Sequence, residues 1–260
     1  MATDHSGYEA PETLEIIGIN HVPEIVAGDD LGKIIRDSIL KSGETLKEND
    51  ILVIAQKIIS KAEGRMVSLS SIRPSNEALG FSGLVEKDPR LVELILQESV
   101  SVVAHRPGVL IVEHKSGLVL ANAGIDRSNV AGKDDEEMVL LLPENADRSA
   151  ECIRESLGGG LGIIINDSIG RAWRNGTIGT AIGVSGLPGI VNLNGAMDMH
   201  ARSLQATTIG LADEIAAAAS IIMGQAAESR PVALVRGFSK LTQIGNASQI
   251  IRSKESDLFR

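Results

Sequence analysis

Four segments of the chain gather residues that could do chemistry on charged oxygens. The first is Asn122-Ala123-Gly124-Ile125-Asp126-Arg127-Ser128-Asn129, at the exit of a short apolar run. It puts a carboxylate, a guanidinium, a hydroxyl and an amide on one turn, and strand exits often carry function. The competing reading, an Asx-type turn in which Asp126 caps the next residues of the chain, stands beside it. The second segment runs from Ile163 through Asn166-Asp167-Ser168-Ile169-Gly170-Arg171 to Trp173-Arg174-Asn175-Gly176. An apolar strand there delivers Asp167 and Ser168 to its C-terminal end, with arginines close behind. A carboxylate plus a hydroxyl suits a hard divalent cation, and arginine suits phosphate or carboxylate. The plain alternative is a surface loop closed by an Asp–Arg pair, and the sole tryptophan in this polar stretch favours function. The third segment, Gln56-Lys57-Ile58-Ile59-Ser60-Lys61-Ala62-Glu63-Gly64-Arg65, is either a solvated charged face or an anion site. The fourth, Met223-Gly224-Gln225-Ala226, is a helix end that offers an amide oxygen as a ligand, or a simple C-cap.

Other signatures fail. Gly158-Gly159-Gly160-Leu161-Gly162 precedes a strand, so it aims no helix N-terminus at a phosphate and reads as a helix-to-strand turn. Gly28-Asp29-Asp30-Leu31-Gly32-Lys33 is too short for a P-loop, lacks its Ser/Thr and carries two acids. His5, His21, His105, His114 and His200 lack metal-ligand spacing. Cys152 falls inside a predicted helix and is expected to be a buried structural thiol.

The elements that position these segments alternate along the chain. Leu14 to Ile19, Ile51 to Ala55, Leu161 to Ile165 and Val232 to Val235 are predicted strands. Asp29-Asp30 precedes a helical pattern of Leu31, Ile34, Ile35 and Ile39, and Asp88-Pro89 opens another through Leu91, Leu94 and Ile95. Val109 to Val112 and Leu118 to Ala121 form a predicted hairpin around Lys115-Ser116-Gly117. Asn145 to Leu157 is predicted helical and stops at the three glycines. The longest predicted helix spans Ala201 to Met223, with Gly224 at its end. The tail Asn246 to Arg260 is polar and expected to gain order only by packing. An α+β or mixed α/β architecture is the outcome.

Composition narrows the function. The chain has 260 residues, 43% hydrophobic and 23% charged, enough apolar surface for a buried core. A single cysteine excludes an internal disulfide framework and a cysteine-based zinc site, as in a reducing cytoplasm. No apolar run reaches membrane-spanning length, and the N-terminus lacks a signal-peptide pattern. A net charge of −9 and an aromatic share of 2% exclude a general nucleic-acid surface and a base-stacking platform. A cytoplasmic protein that handles a small molecule remains.

Taken in order, the segments resemble the coenzyme F420-0:L-glutamate ligase family, the gamma-glutamyl ligases that add glutamate to a deazaflavin cofactor precursor. The resemblance starts at Val22-Pro23-Glu24-Ile25 and Gly28-Asp29-Asp30-Leu31. It continues through Ile59 to Arg65, Asp88 to Glu93, Asn122 to Val130, Asp167 to Gly176, Ala181-Ile182-Gly183 and Ala212-Asp213-Glu214-Ile215. It closes with Val235-Arg236-Gly237 and Glu255 to Arg260.

This resemblance implies a mixed-sheet, two-part α+β fold that forms an intertwined homodimer. Residues 1–13 read as an extra polar leader to which the family assigns no role, ahead of an expected ligase domain over 14–260 with no C-terminal flavin-binding domain. By residue, the resemblance implies metal ligands at Asp126, Asp167, Ser168 and Gln225. It implies GTP contacts at Val22, Pro23, Glu24, Ile25, Gln56, Lys57, Lys61, Asn129, Met223, Gly224, Gln225 and Ala226, within a segment reaching Arg230. The implied reaction is GTP-dependent ligation of L-glutamate to the tail carboxylate of coenzyme F420-0, through an acyl phosphate, with Mg²⁺ or Mn²⁺ and K⁺ as accompanying ions. All participants are anionic, so Asp126 and Asp167 would hold metals while Lys61 and Arg171 gather charge. Two other readings stay open: a nucleotide-dependent ligase for a different carboxylate and amine, and a non-catalytic nucleotide-binding homologue.

Overall fold

A computed structural model gives the architecture and describes residues 8–127, 137–239 and 244–259. The chain opens with β1 (Glu15–Ile19), α1 (Leu31–Lys41), β2 (Ile51–Ala55), α2 (Gln56–Ala62) and β3 (Met66–Ser68). Then come α3 (Asn76–Val85), α4 (Pro89–Gln97), β4 (Ser99–Arg106), β5 (Val109–His114), β6 (Val119–Ala121) and β7 (Met138–Leu140). The remainder is α5 (Ala146–Ser156), β8 (Gly162–Arg171), β9 (Arg174–Ser185), β10 (Val191–Asn192), β11 (Thr208–Ile209), α6 (Leu211–Met223) and β12 (Val232–Arg236).

One mixed sheet, in the order β1-β12-β2-β8-β9, organises the molecule. β2 and β8 run parallel and the other neighbours antiparallel. β2, β12 and the first half of β8 are apolar at nearly every position because both faces of the sheet are covered. Leu52, Ile54, Ile163, Ile165, Val232 and Leu234 cluster with Ile35 and Ile39 of α1 and Ile153 of α5. Their neighbours Ile51, Val53, Ile164, Ala233 and Val235 cluster with Leu211, Ile215 and Ala219 of α6. This is the period of two expected of a strand, split between two helical layers.

Local signals set the helix ends. Asp30 accepts from Lys33 N at 3.0 Å, Asp88 from Arg90 N at 2.8 Å ahead of Pro89, and Asn145 from Arg148 N at 2.9 Å. Both flanking helices approach β9 closely at glycines. A Cβ on Gly179 would lie 2.5 Å from the Ala216 carbonyl oxygen and 2.0 Å from Ser220 Oγ of α6. One on Gly183 would lie 2.4 Å from the Ala146 carbonyl oxygen of α5. Gly179→Ala must therefore push α6 off the sheet. We expect it to cost about 1–3 kcal/mol, seen as a lower urea midpoint at unchanged slope. An unaltered midpoint would contradict this packing.

A second core lies apart from the large sheet. Leu69, Val92, Ile95, Leu110, Val112 and Val139 cluster between α3, α4, the three-stranded β4-β5-β6 sheet and the β3-β7 pair. Arg65 bridges the chain segments that leave and rejoin this part. Its Nη2 is 2.6 Å from Glu98 Oε2, and its Nε donates to the Leu142 carbonyl at 2.9 Å. The mixed α+β expectation agrees with this arrangement.

Three expectations need correction. The helix expected over Ala201 to Met223 starts at Leu211, because Thr207-Thr208-Ile209 is β-branched and enters β11 before Gly210. The strand expected to stop at Ile165 continues to Arg171, so Asp167 and Ser168 lie mid-strand on a long β8–β9 hairpin. Its tip holds Trp173, 80% exposed and tilted against Phe259 with 4.8 Å between ring centroids. Cys152 faces solvent on α5 instead of lying in the core. Tyr8 packs partly buried against the α6 side of the sheet.

Candidate functional site

β2 and β8 are parallel and end on the same side, so the residues that come after Ala55 and Asn166 meet there. α2 starts directly after Ala55 and fixes Gln56, Lys57 and Lys61. Gln56 is buried and accepts from Ser60 Oγ at 2.9 Å, which pins the first turn of the helix. Lys57 and Lys61, four residues apart, lie on one helix face.

Asp126 comes from the second part of the molecule. The chain reaches it through three consecutive left-handed residues, Asn122 (φ 52°), Ala123 (φ 54°) and Gly124 (φ 69°). A Cβ on Gly124 would strike Leu142 at 2.8 Å, so glycine is required there. Reciprocal backbone bonds with Leu140, at 3.0 and 2.8 Å, then hold Asp126. Its Oδ2 lies 2.7 Å from Lys57 Nζ.

On β8, Asp167 is pushed up to about 6 from 3.8, first by burial and then by the nearby Asp126 charge. A backbone hydrogen bond from Ser168 and the charge of Lys57 pull the other way without cancelling this. Ser168 Oγ donates to Gln225 Oε1 at 2.6 Å, across from the turn that Gly224 (φ 76°) makes after α6. Behind them, the Asn166 amide donates to Ser220 Oγ at 3.1 Å and ties β8 to α6.

These groups line one cleft of about 780 Å³. Val22, Pro23, Glu24 and Ile25 form one wall, with Gln56, Lys57 and Lys61 beside them. Asp126, Asp167 and Ser168 face Met223, Gly224, Gln225 and Ala226. Arg171 is not among the lining residues: its Nη2 reaches the Asn175 carbonyl at 3.4 Å within the hairpin tip. Asn129 lies outside the described residues. Thr177, Glu228 and Arg230 also line the cleft. Thr177 was not legible as a site residue, because only the β8–β9 register places it opposite Gly170. Arg230 packs over Gly18, where a Cβ would meet its Cδ at 3.0 Å, and its buried Nε has no protein partner among the described residues.

The oxygen set fits a hard divalent cation. Among the described residues no three His, Cys, Asp or Glu side chains gather at one point. Two interacting carboxylates with a hydroxyl and an amide oxygen instead suit Mg²⁺-type binding, in which phosphate oxygens and water complete the shell.

The F420-0:gamma-glutamyl ligase family model matches residues 19–237, a span that contains every cleft-lining residue named above. The chain belongs to the F420-0:gamma-glutamyl ligase family. A coenzyme F420:L-glutamate ligase of Methanothermobacter thermautotrophicus is 42% identical over 253 residues, covering 95% of this chain and 99% of the relative. The protein of the same name from Methanopyrus kandleri is 40% identical over 256 residues, covering 95% and 98%. That of Haloarcula marismortui is 36% identical over 257 residues, covering 95% and 96%. The cleft places the ammonium groups of Lys57 and Lys61 and the oxygens of Asp126, Asp167, Ser168 and Gln225 at one place. Among the described residues no helix is long and apolar enough to cross a membrane.

Proposed function

We propose that this protein ligates L-glutamate to the tail carboxylate of coenzyme F420-0, and further glutamates through gamma linkages, at the expense of GTP. The observation that carries the reading is the convergence of Asp126, Asp167, Ser168 and Gln225 with Lys57 and Lys61 in one cleft. Family membership supports the ligation chemistry.

A carboxylate does not acylate an amine unaided, because its oxygen is a poor leaving group. The γ-phosphoryl group of GTP is transferred to the tail carboxylate, which forms an acyl phosphate and releases GDP. The glutamate amine then attacks the acyl carbon; a C–N bond forms, the C–O bond to phosphate breaks and the amine loses a proton. Divalent ions, when bound, neutralise the phosphate charge and polarise the reacting oxygens. Asp126 and Asp167 would hold them, with the Ser168 hydroxyl and Gln225 amide as neutral ligands. Lys61 offers its ammonium to phosphate oxygens from the wall of the cleft. The protein acts in the cytoplasm as a homodimer, and a sedimentation run giving a monomer at working concentration removes the dimer.

The acyl phosphate has a direct test. With a heavy-oxygen label in the tail carboxylate, one labelled oxygen is expected in the released phosphate for each amide formed. Unlabelled phosphate with normal amide formation would exclude the intermediate.

The state of Asp167 gives a pH prediction. Its folded pKa lies above 3.8, so ionising it works against folding above about 6, and that penalty is relieved as pH falls toward 3.8. Metal binding has the opposite sign, because the ligand must be the carboxylate. Mn²⁺ affinity is expected to fall up to about tenfold per pH unit below about 6, and Asp167→Asn to flatten that dependence. A wild-type affinity independent of pH between about 5 and about 7 would contradict the assignment.

A further inference from the structure

The contact between Lys57 and Asp126 is imposed by two fixed backbones. Lys57 sits in the first turn of α2, directly after β2, and Asp126 is held by its backbone bonds to Leu140. Nζ and Oδ2 are 2.7 Å apart, and each side chain is 26% exposed, so solvent screens the pair only in part. The ammonium therefore takes a position at Asp126 that a divalent ion bound there would need. Lys61 lies one helical turn further along the same wall, so the face of α2 that carries Lys57 already points along the cleft.

We propose that Lys57 and a divalent cation are alternative counter-ions of Asp126, so that entry of metal with nucleotide moves the Lys57 ammonium from this carboxylate onto phosphate oxygens. This rests on the metal–nucleotide reading of the same cleft and adds an order to it. A metal ion alone must displace the ammonium and leave it facing another cation, so it binds weakly. Nucleotide phosphates accept the displaced charge, and metal and nucleotide then strengthen each other's binding by the same factor. The exchange discourages metal capture before the co-substrate is present.

The test uses the full-length protein with Mn²⁺ as the probe, free ion being tracked by electron paramagnetic resonance with and without GDP. Lys57→Met is expected to tighten Mn²⁺ binding without nucleotide at least about fivefold, and to shrink the enhancement by GDP by a similar factor. Lys57→Arg, which keeps the charge, is expected to retain the weak wild-type affinity. Lys57→Gln serves as the second uncharged variant if the methionine protein does not fold. Unchanged or weaker Mn²⁺ binding by a folded uncharged variant overturns the exchange. Asp126→Asn separates that failure from failure of the metal site itself. If it weakens Mn²⁺ binding while the uncharged Lys57 variants do not tighten it, only the exchange falls. If Asp126→Asn leaves Mn²⁺ binding intact, the metal assignment falls with it.

Discussion

Asp167→Asn is expected to reduce ligation by about three orders of magnitude while leaving the protein folded and at least as thermostable at neutral pH. Both halves arise from the same carboxylate. As an ion it would anchor a divalent cation against the phosphates, and an amide is a poor substitute because it brings no negative charge. In the folded protein that ion is held at a disadvantage, its pKa lifted to about 6 by burial and by Asp126. A neutral isostere removes the disadvantage, so function and stability pull in opposite directions at this residue. Asp126→Asn should abolish turnover as well, but without a gain in stability, because it takes from Lys57 the counter-ion beside it. Kinetics and melting of the two purified variants check this. Near-normal ligation by both would end the metal assignment.

Arg236→Ala has the largest expected effect on stability, and for a reason unrelated to the cleft. Asp50, at the start of β2, is only 2% exposed. Arg236 meets both of its carboxylate oxygens, Nε at 2.9 Å and Nη2 at 2.8 Å, and Lys47 N donates to it at 2.8 Å. The same guanidinium reaches the Thr45 carbonyl at 3.0 Å. Alanine would strand a buried carboxylate without its cation, at about 3–5 kcal/mol. For a chain of this length the melting temperature should fall by roughly 10 °C. A double change, Asp50→Leu with Arg236→Met, should recover much of the loss, because an apolar pair of similar volume needs no desolvated charge. The site itself lies at the other end of β2, about 15 Å away along the strand. Activity measured well below the melting temperature should therefore survive Arg236→Ala. A melting temperature unchanged in the single variant would show that the ion pair contributes nothing net.

The sequence carried the central strands because burial on both faces leaves continuous apolar runs, as in Ile51 to Ala55 and Ile163 to Ile165. It carried the caps at Asp30 and Asp88 because they are local chemistry. It did not reveal β4, whose polar residues and two register shifts break the alternation. Nor did it show how far β8 extends: Asp167, Ser168 and Gly170 read as a loop until pairing with β9 supplies their partners. The same holds for the site. Asp126, Asp167, Ser168, Lys57, Lys61 and Gln225 were legible as chemical types at strand and helix ends, and the cleft brings all of them together. Arg171 was legible only as a type; the hairpin carries it past the cleft wall. Thr177 entered only through three-dimensional register, for which no local pattern stands, whereas Glu228 fell inside the segment reaching Arg230 that the resemblance implied.

Glutamate ligation itself is the most direct measurement. The purified protein is incubated with GTP, Mg²⁺ or Mn²⁺, L-glutamate and coenzyme F420-0, and the cofactor is weighed by mass spectrometry. Products heavier by whole glutamyl units are predicted, formed only when GTP, metal and glutamate are all present, with GDP released in step. Nucleotide binding with no glutamate-dependent gain in mass, under conditions in which a relative forms product, would contradict the proposed ligation.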